Sequence, residues 1–207
     1  METTNGERER LLGLIADHLL ESGVSTVTLR GIATAVGSNN RMLLYYFGSK
    51  ERLVADGIAE AAGRFPVFGR ALAGIHGRQQ PIAAWLDAVW RDISDEANTP
   101  YLRLFFELFG LAAHRPDRYG PFLESVGSDW VELVGRSLRT DGVPADDAQD
   151  LAIEVVALWR GLQFALLSGA DRAALDRSHT EAARSIERRA HGADRAPRRL
   201  NGAPRPL

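Results

Sequence analysis

The sequence predicts an all-α fold, and three observations lead there. Apolar residues recur at spacings of three and four through most of the chain. Ala, Leu, Arg and Glu, all good helix formers, dominate the composition. No stretch carries the strict apolar–polar alternation of a half-buried strand. Within that class the punctuation changes along the chain. Three short helices crowd the first fifty residues and longer ones follow. The expected organisation is a helix-turn-helix module over 1–52, a larger helical unit over 53–190 and a tail over 191–207. The tail is rich in Arg and Pro and short of apolar groups, so it cannot offset its ordering entropy and is expected to be disordered.

Taken in order, "RERLLGLIADHLLESG" sets Leu11, Leu12, Ile15 and Leu19 on one face and stops at Gly23. Thr28 can cap a second helix, "LRGIATAV", which ends at Gly37. Asn39 can cap a third, reaching about Tyr46, and Ser49 a fourth that opens at Lys50 and runs at least to Arg64. Pro66 then kinks or ends it, and "GIHGRQQP" reads as a loop. Longer helices are expected near Ile82–Glu96, Pro100–His114 and Pro121–Thr140. After the break "DGVPADD", Asp146 or Asp147 starts a helix to about Ser168, and the last begins near Asp171 and fades by Ala190.

The 207 residues suffice for one sizeable core or a small domain joined to a larger one. With no cysteine, disulfides, thiolate metal sites and cysteine nucleophiles are excluded. No charged segment followed by an apolar stretch opens the chain, and no apolar run approaches the roughly 18 residues of a spanning helix. A cytoplasmic protein without a cofactor is the expectation. Net charge is −2, yet from Ser22 to Arg52 the cations Arg30, Arg41, Lys50 and Arg52 face Glu51 alone. A basic module on an acidic body hints at nucleic acid. Chance in an Arg-rich composition explains the charge pattern about as well.

The run "NNRMLLYYFGSK" carries the sharper signal. A helix-turn-helix needs a small residue where its helices cross, and Ala33 follows Ile32 there. Its turn needs positive φ, and Gly37 lies four residues on. Val36, Leu43 and Tyr46 are spaced to hold the second helix, with Phe47 also facing inward. Ser38, Asn39, Asn40, Arg41 and either Leu44 or Tyr45 are left for its outer face. Short amides and an arginine suit base edges and phosphates in a major groove. Arg41 fits guanine contact, phosphate contact or plain solvation. Arg30 fits phosphate contact or solvation better than base reading. Lys50, the chain's only lysine, sits in a helix's first turn, where the dipole disfavours a cation unless phosphate docks beside it.

Thr28, Ile32, Ala33, Gly37, Leu43, Tyr45, Phe47, Ser49, Lys50 and Glu51 together resemble the DNA-binding signature of the TetR-type (TetR/AcrR) transcriptional regulators. The match covers roughly Glu9 to Ile58. Three positions depart from the pattern: Ser38 where the family usually has Val, Leu44 where it often has Tyr, and Met42 where it favours Thr or Ser. The resemblance implies an all-helical homodimer on a double-stranded DNA operator. It also implies a C-terminal domain, over 53–190, that binds a small-molecule effector and carries the dimer interface. On this reading Thr28, Arg30, Ser38, Asn39, Asn40, Arg41, Leu44, Tyr45 and Lys50 contact DNA.

Dimerisation is expected through the last two helices, about 146–190. Leu151, Val155, Leu158, Leu162, Ala165 and Leu166 form one stripe, and Ile153, Val156, Trp159 and Phe164 cover much of the rest. A helix apolar on more than one side needs more than one partner. Aromatic residues crowd Phe65 to Phe164, among them Phe65, Phe68, Tyr119 and Phe122. Pockets between helices are lined this way, though an aromatic stripe is more often plain core. Trp85, Phe106, Trp130 and Trp159 are the candidate walls, with Glu107, His114, Asp129 and Gln163 as polar candidates. The expected ligand is apolar or aromatic and of modest size, and the expected output is repression relieved by that ligand.

Two rivals belong to other classes. An enzyme has little support, because His18, His76, His114, His179 and His191 are scattered and no Gly-rich phosphate loop occurs. A constitutive or architectural DNA-binding protein without an effector also fits an acidic body with an Arg-rich tail.

Overall fold

The computed structural model describes residues 2–64, 81–114 and 116–192, with side chains over 6–64, 81–114 and 128–192. The expected kink at Pro66, most of the 74–81 loop, and the tail beyond Gly192 lie outside the described residues. So do Phe65 and Phe68, and the side chains of Tyr119 and Phe122. Among the described residues there is helix and no strand. The helices are α1 (Glu2–Ser22), α2 (Leu29–Ala35), α3 (Asn40–Phe47), α4 (Lys50–Gly63), α5 (Ile82–Ile93), α6 (Thr99–His114), α7 (Pro116–Thr140), α8 (Ala145–Leu167) and α9 (Arg172–Ala190). None is long and apolar enough to cross a membrane.

The caps explain the early boundaries. Thr28 Oγ1 accepts from the Gly31 amide at 3.0 Å, Asn39 Oδ1 from Met42 at 3.0 Å, and Ser49 Oγ from Arg52 at 3.2 Å. Each satisfies one of the donors that a helix start leaves orphaned. Asp171 does the same for α9, accepting from Ala174 at 3.0 Å. Other boundaries differ from the sequence reading. α1 begins at Glu2 rather than near Arg8. α5 stops at Ile93, short of Glu96, because Asp95 accepts from Ala97 and opens a 3₁₀ turn over Glu96–Asn98. Asn98 Nδ2 then donates to the Asp92 carbonyl at 2.7 Å. Short polar side chains that bond the nearby backbone compete with helix in this way. α7 begins at Pro116 rather than Pro121. A proline at the first helical position loses only an amide that would be orphaned anyway. α8 follows Pro144, leaving Asp146 and Asp147 in its first turn, where the dipole favours them.

Two cores form. Leu11, Ile15 and Leu19 of α1 meet Ile32 of α2 and its C-cap Val36, Leu43 and Phe47 of α3, and Leu53 and Ala61 of α4. The second gathers Trp85, Leu86, Val89 and Trp90 of α5 with Val134 and Leu138 of α7, Val155 and Trp159 of α8, and Ile186 of α9. Burying a side chain of this size is worth about 2 kcal/mol. Leu104 and Leu108 of α6 belong to the first core. α6 therefore joins the two halves. At Gly57 the approach of α4 to α1 is close: a Cβ there would stand 2.7 Å from Ile15 Cγ2 and 2.8 Å from Leu19 Cδ1.

Candidate nucleic-acid interface and apolar cleft

The turn between α2 and α3 is built on Gly37, whose φ is 63°. A side chain there would carry the steric cost of left-handed backbone. The Ser38 amide closes the turn by donating to the Ala33 carbonyl at 2.8 Å. α3 is then held from inside, because Leu43 is fully buried and Phe47 nearly so, while Tyr46 is half-buried against the same core. Tyr45 points away and is 71% exposed, its ring edge-on to Tyr46 at 5.2 Å.

All nine candidate DNA contacts lie outside the core. Thr28, Arg30, Asn39, Asn40, Arg41, Leu44 and Tyr45 are exposed, and Ser38 and Lys50 are half-buried. Thr28 and Asn39 spend a side-chain oxygen on their caps. The donors that remain to them are one hydroxyl proton and one amide NH₂ respectively. Lys50 opens α4 behind the Ser49 cap. Arg8 was not among the expected contacts. It reaches from α1 to Asp56 at 2.6 Å and lies over the Phe47 ring at 5.0 Å. It thereby ties α1, the end of α3 and α4 together.

The second site is a cleft between α5, α6, α7 and α8, with about 390 Å³ of free space counted out to its open mouth. Trp130, Trp159 and Phe105 provide aromatic walls, with Ile93, Leu102 and Val156 beside them. Tyr101, Arg160 and Gln163 are the polar lining. Trp130 and Trp159 meet edge to face at 6.1 Å. The Arg160 guanidinium carbon lies 4.8 Å over the Phe105 ring. Burial pushes the Tyr101 phenol up to about 12, with the neighbouring Arg160 charge opposing it weakly, so the hydroxyl stays protonated. Burial likewise pulls Arg160 below the usual arginine range without discharging it.

Of the residues expected at a pocket, Trp130, Trp159 and Gln163 line this cleft. Trp85 stands behind it, buried, with its ring 6.3 Å from that of Trp159. Phe106 packs edge-on to Phe105 and Phe164 without facing the cleft. His114 is exposed at the end of α6 and Asp129 is exposed on α7. Glu107 reaches the other way. The amides of Val24 and Ser25 donate to its Oε2 and Oε1 at 3.0 and 2.7 Å. Gly23, with φ 72°, makes room: a Cβ there would collide with the Glu107 carboxylate. α6 thus turns Tyr101, Leu102 and Phe105 to the cleft, and Leu104, Glu107 and Leu108 to the helix-turn-helix module. Among the described residues, no three His, Cys, Asp or Glu side chains gather as a metal site.

Arg160 and Tyr101 are the polar lining residues that sequence reasoning missed. Arg160 had left a trace, as a lone cation in the apolar run "VVALWRGLQFALL". Behind the cleft, Trp159 donates its indole N–H to His179 Nε2 at 3.0 Å, and His179 stacks on Trp90 at 5.3 Å.

No family model matches the chain, and no curated protein matches it significantly. Solved structures do. A transcriptional regulator from Rhodococcus sp. Rha1 superposes with a TM-score of 0.65 at 20% identity, over 92% of this chain and 99% of that one. A TetR-like transcriptional regulator from Rhodococcus sp. RHA1 gives 0.62 at 18% identity, over 90% and 97%. A protein assigned to the TetR family of transcriptional regulators, from Mesorhizobium loti MAFF303099, gives 0.66 at 14% identity, over 88% and 96%. At these identities the likeness is one of fold, and it spans nearly the whole length of each neighbour.

Proposed function

We propose that this chain, which has the fold of the TetR-type transcriptional regulators, is itself a sequence-specific DNA-binding regulator. On this reading it acts as a homodimer and represses from a palindromic operator until a small apolar or aromatic ligand releases it. The carrying observation is α3: pinned from inside by Leu43 and Phe47, it offers Asn40, Arg41, Leu44 and Tyr45 outward. Such a helix enters a major groove with its N-terminal residues at base edges and its flanks on phosphates. Two copies related by a two-fold axis would read half-sites about 34–36 Å apart or a multiple of that.

Support for the dimer comes from α8. Ile153 is 52% exposed and Phe164 60%, with Ala157 and Gly161 exposed between them at helical spacing. Large apolar side chains at that exposure fit a face meant to be covered. A second copy laying its own α8 and α9 there makes a four-helix bundle.

Ligand release is supported by the two-sided α6. A ligand wedged against Tyr101 and Phe105 shifts the helix that also holds Glu107 on the α1–α2 loop. A shift of an ångström or so there alters the separation of the two α3 helices across the dimer. The ligand needs a preference of a few kcal/mol for the released arrangement.

The test is selection of bound fragments from genomic DNA by purified protein at near-physiological salt, followed by sequencing. Enrichment of a short palindrome supports the reading. A monomer with no preference among duplexes refutes it.

A further inference from the structure

We infer that His179 is a positioning residue for the cleft: its neutral ring holds the Trp159 indole in place as a wall, and a proton added to that ring displaces the wall and weakens ligand binding. The inference rests on the ligand-binding half of the function proposed above and adds to it a control by acid. Trp159 has two sides. One lines the cleft beside Trp130, which it meets edge to face at 6.1 Å. On the other its indole N–H donates to His179 Nε2 at 3.0 Å, with both side chains buried. An indole N–H can only donate, so the bond needs a free lone pair on Nε2.

His179 is gripped on its remaining sides. Its Nδ1 bonds Asp87 Oδ1 at 3.0 Å, and the Thr180 hydroxyl donates to the same oxygen at 3.2 Å. Its ring stacks on Trp90 at 5.3 Å. Trp90 donates to Asp176 at 2.7 Å, and Arg172 donates to Asp176 at 3.0 Å and to Ser94 Oγ at 2.8 Å. Trp159, by contrast, borders the free space of the cleft. When a proton from solvent reaches Nε2, two N–H groups face each other, and the indole is the one with room to move. The charged groups around the ring are Asp87 on α5, and Asp176 with Arg172 on α9. On α8, Arg160 turns to the cleft, and Glu154 is held by Arg189 further along α9. Burial lowers the pKa of the ring and outweighs the raising pull of Asp87 and Asp176, so the wall is in place at neutral pH. Affinity that needs the neutral ring is complete there and falls as pH drops through the folded pKa.

The experiment uses the full-length protein and the dye N-phenylnaphthylamine, which stays neutral from mildly acid to neutral pH and brightens in apolar sites. The parent protein should bind it severalfold more weakly at about pH 5 than at about pH 7.5. His179→Gln offers Trp159 an acceptor that does not titrate, so it should keep the neutral affinity at both pH values. His179→Leu offers none and should bind about fivefold more weakly at both, the worth of one net hydrogen bond. In a Trp159→Phe background the glutamine and leucine variants should bind alike. That comparison is made at neutral pH alone, so it stands whatever acid does to the fold. A parent affinity that does not change with pH, a loss in acid that survives His179→Gln, or a leucine variant that binds like the glutamine one would each overturn the inference while leaving the ligand-binding reading intact. No dye binding at any pH would remove both. DNA binding is scored separately on duplex fragments without dye, so the regulator reading is judged independently of the cleft.

Discussion

Trp159 and His179 share one hydrogen bond that fixes the chemistry of both. The indole N–H can only donate, so His179 Nε2 must be the acceptor at 3.0 Å. The ring's proton then sits on Nδ1 and points to Asp87 Oδ1, also at 3.0 Å. His179 is 1% exposed, stacked on Trp90, whose indole in turn donates to Asp176 at 2.7 Å. A second proton on His179 would face the Trp159 N–H head-on.

The first prediction is a pH dependence. Burial lowers the His179 pKa and outweighs the raising pull of Asp87 and Asp176. The unfolded chain therefore binds the proton more readily than the folded one. Stability from this group is complete above about pH 6.5 and falls as pH drops below it toward the folded pKa, by at most about 1.4 kcal/mol per pH unit. Thermal melts from neutral to mildly acid pH should show the decline. His179→Gln should melt lower at neutral pH but with a shallower slope below it. Parallel slopes would assign the decline to other groups.

Glu107 is expected to hold the two halves of the chain in register. Glu107→Ala removes the acceptor of the Val24 and Ser25 amides, bonded at 3.0 and 2.7 Å; because Ser25 is exposed and only the Val24 bond is part-buried, the cost in urea unfolding should be about 1 kcal/mol. Glu107→Gln keeps one acceptor and should cost less. Both variants should bind ligand in the cleft as the parent does while responding to it more weakly in DNA release. Full release by Glu107→Ala would show that coupling runs by another route.

At the proposed DNA face, removal of charge and removal of shape should separate. Lys50→Ala is expected to weaken binding to every duplex and to reduce the salt slope by about one. Arg41→Ala, if Arg41 reads a base, should cost about 1–3 kcal/mol and relax preference at one operator position only. Fluorescence anisotropy across several salt concentrations reads both, and an unchanged slope removes Lys50 from the interface.

Leu43→Ala and Tyr45→Phe test which face of α3 does what. The first empties a fully buried site and should lower stability by about 2–5 kcal/mol. The second removes one hydroxyl from an exposed ring and should leave the melt unchanged while weakening DNA binding. A Tyr45→Phe protein that binds operator normally would return that residue to the plain surface.

Phe164→Asp should give a monomer by light scattering, because a carboxylate on the exposed apolar face of α8 opposes its burial. Retained dimer would move the interface elsewhere.

Much of the first half was legible because its signals are local. Thr28, Asn39 and Ser49 cap helices that begin one residue later, and each bond reaches only three residues along the chain. The inward set of Leu43, Tyr46 and Phe47 likewise follows from helical spacing over five residues. The cleft was only half legible. Trp130, Trp159 and Gln163 were named, but which side of α6 faces the second core depends on how it packs against α1 and α7. Nothing within α6 itself distinguishes Phe105, which lines the cleft, from Phe106, which does not. Glu107 shows the same limit: its partners lie 83 and 82 residues away, beyond any local pattern.

The reach of Arg8 to Asp56 and over Phe47 has a practical corollary. The opening turns of the chain brace the far end of α3 without belonging to it. Removing that brace by Arg8→Ala should loosen the proposed grip on DNA although none of the nine candidate contacts has changed.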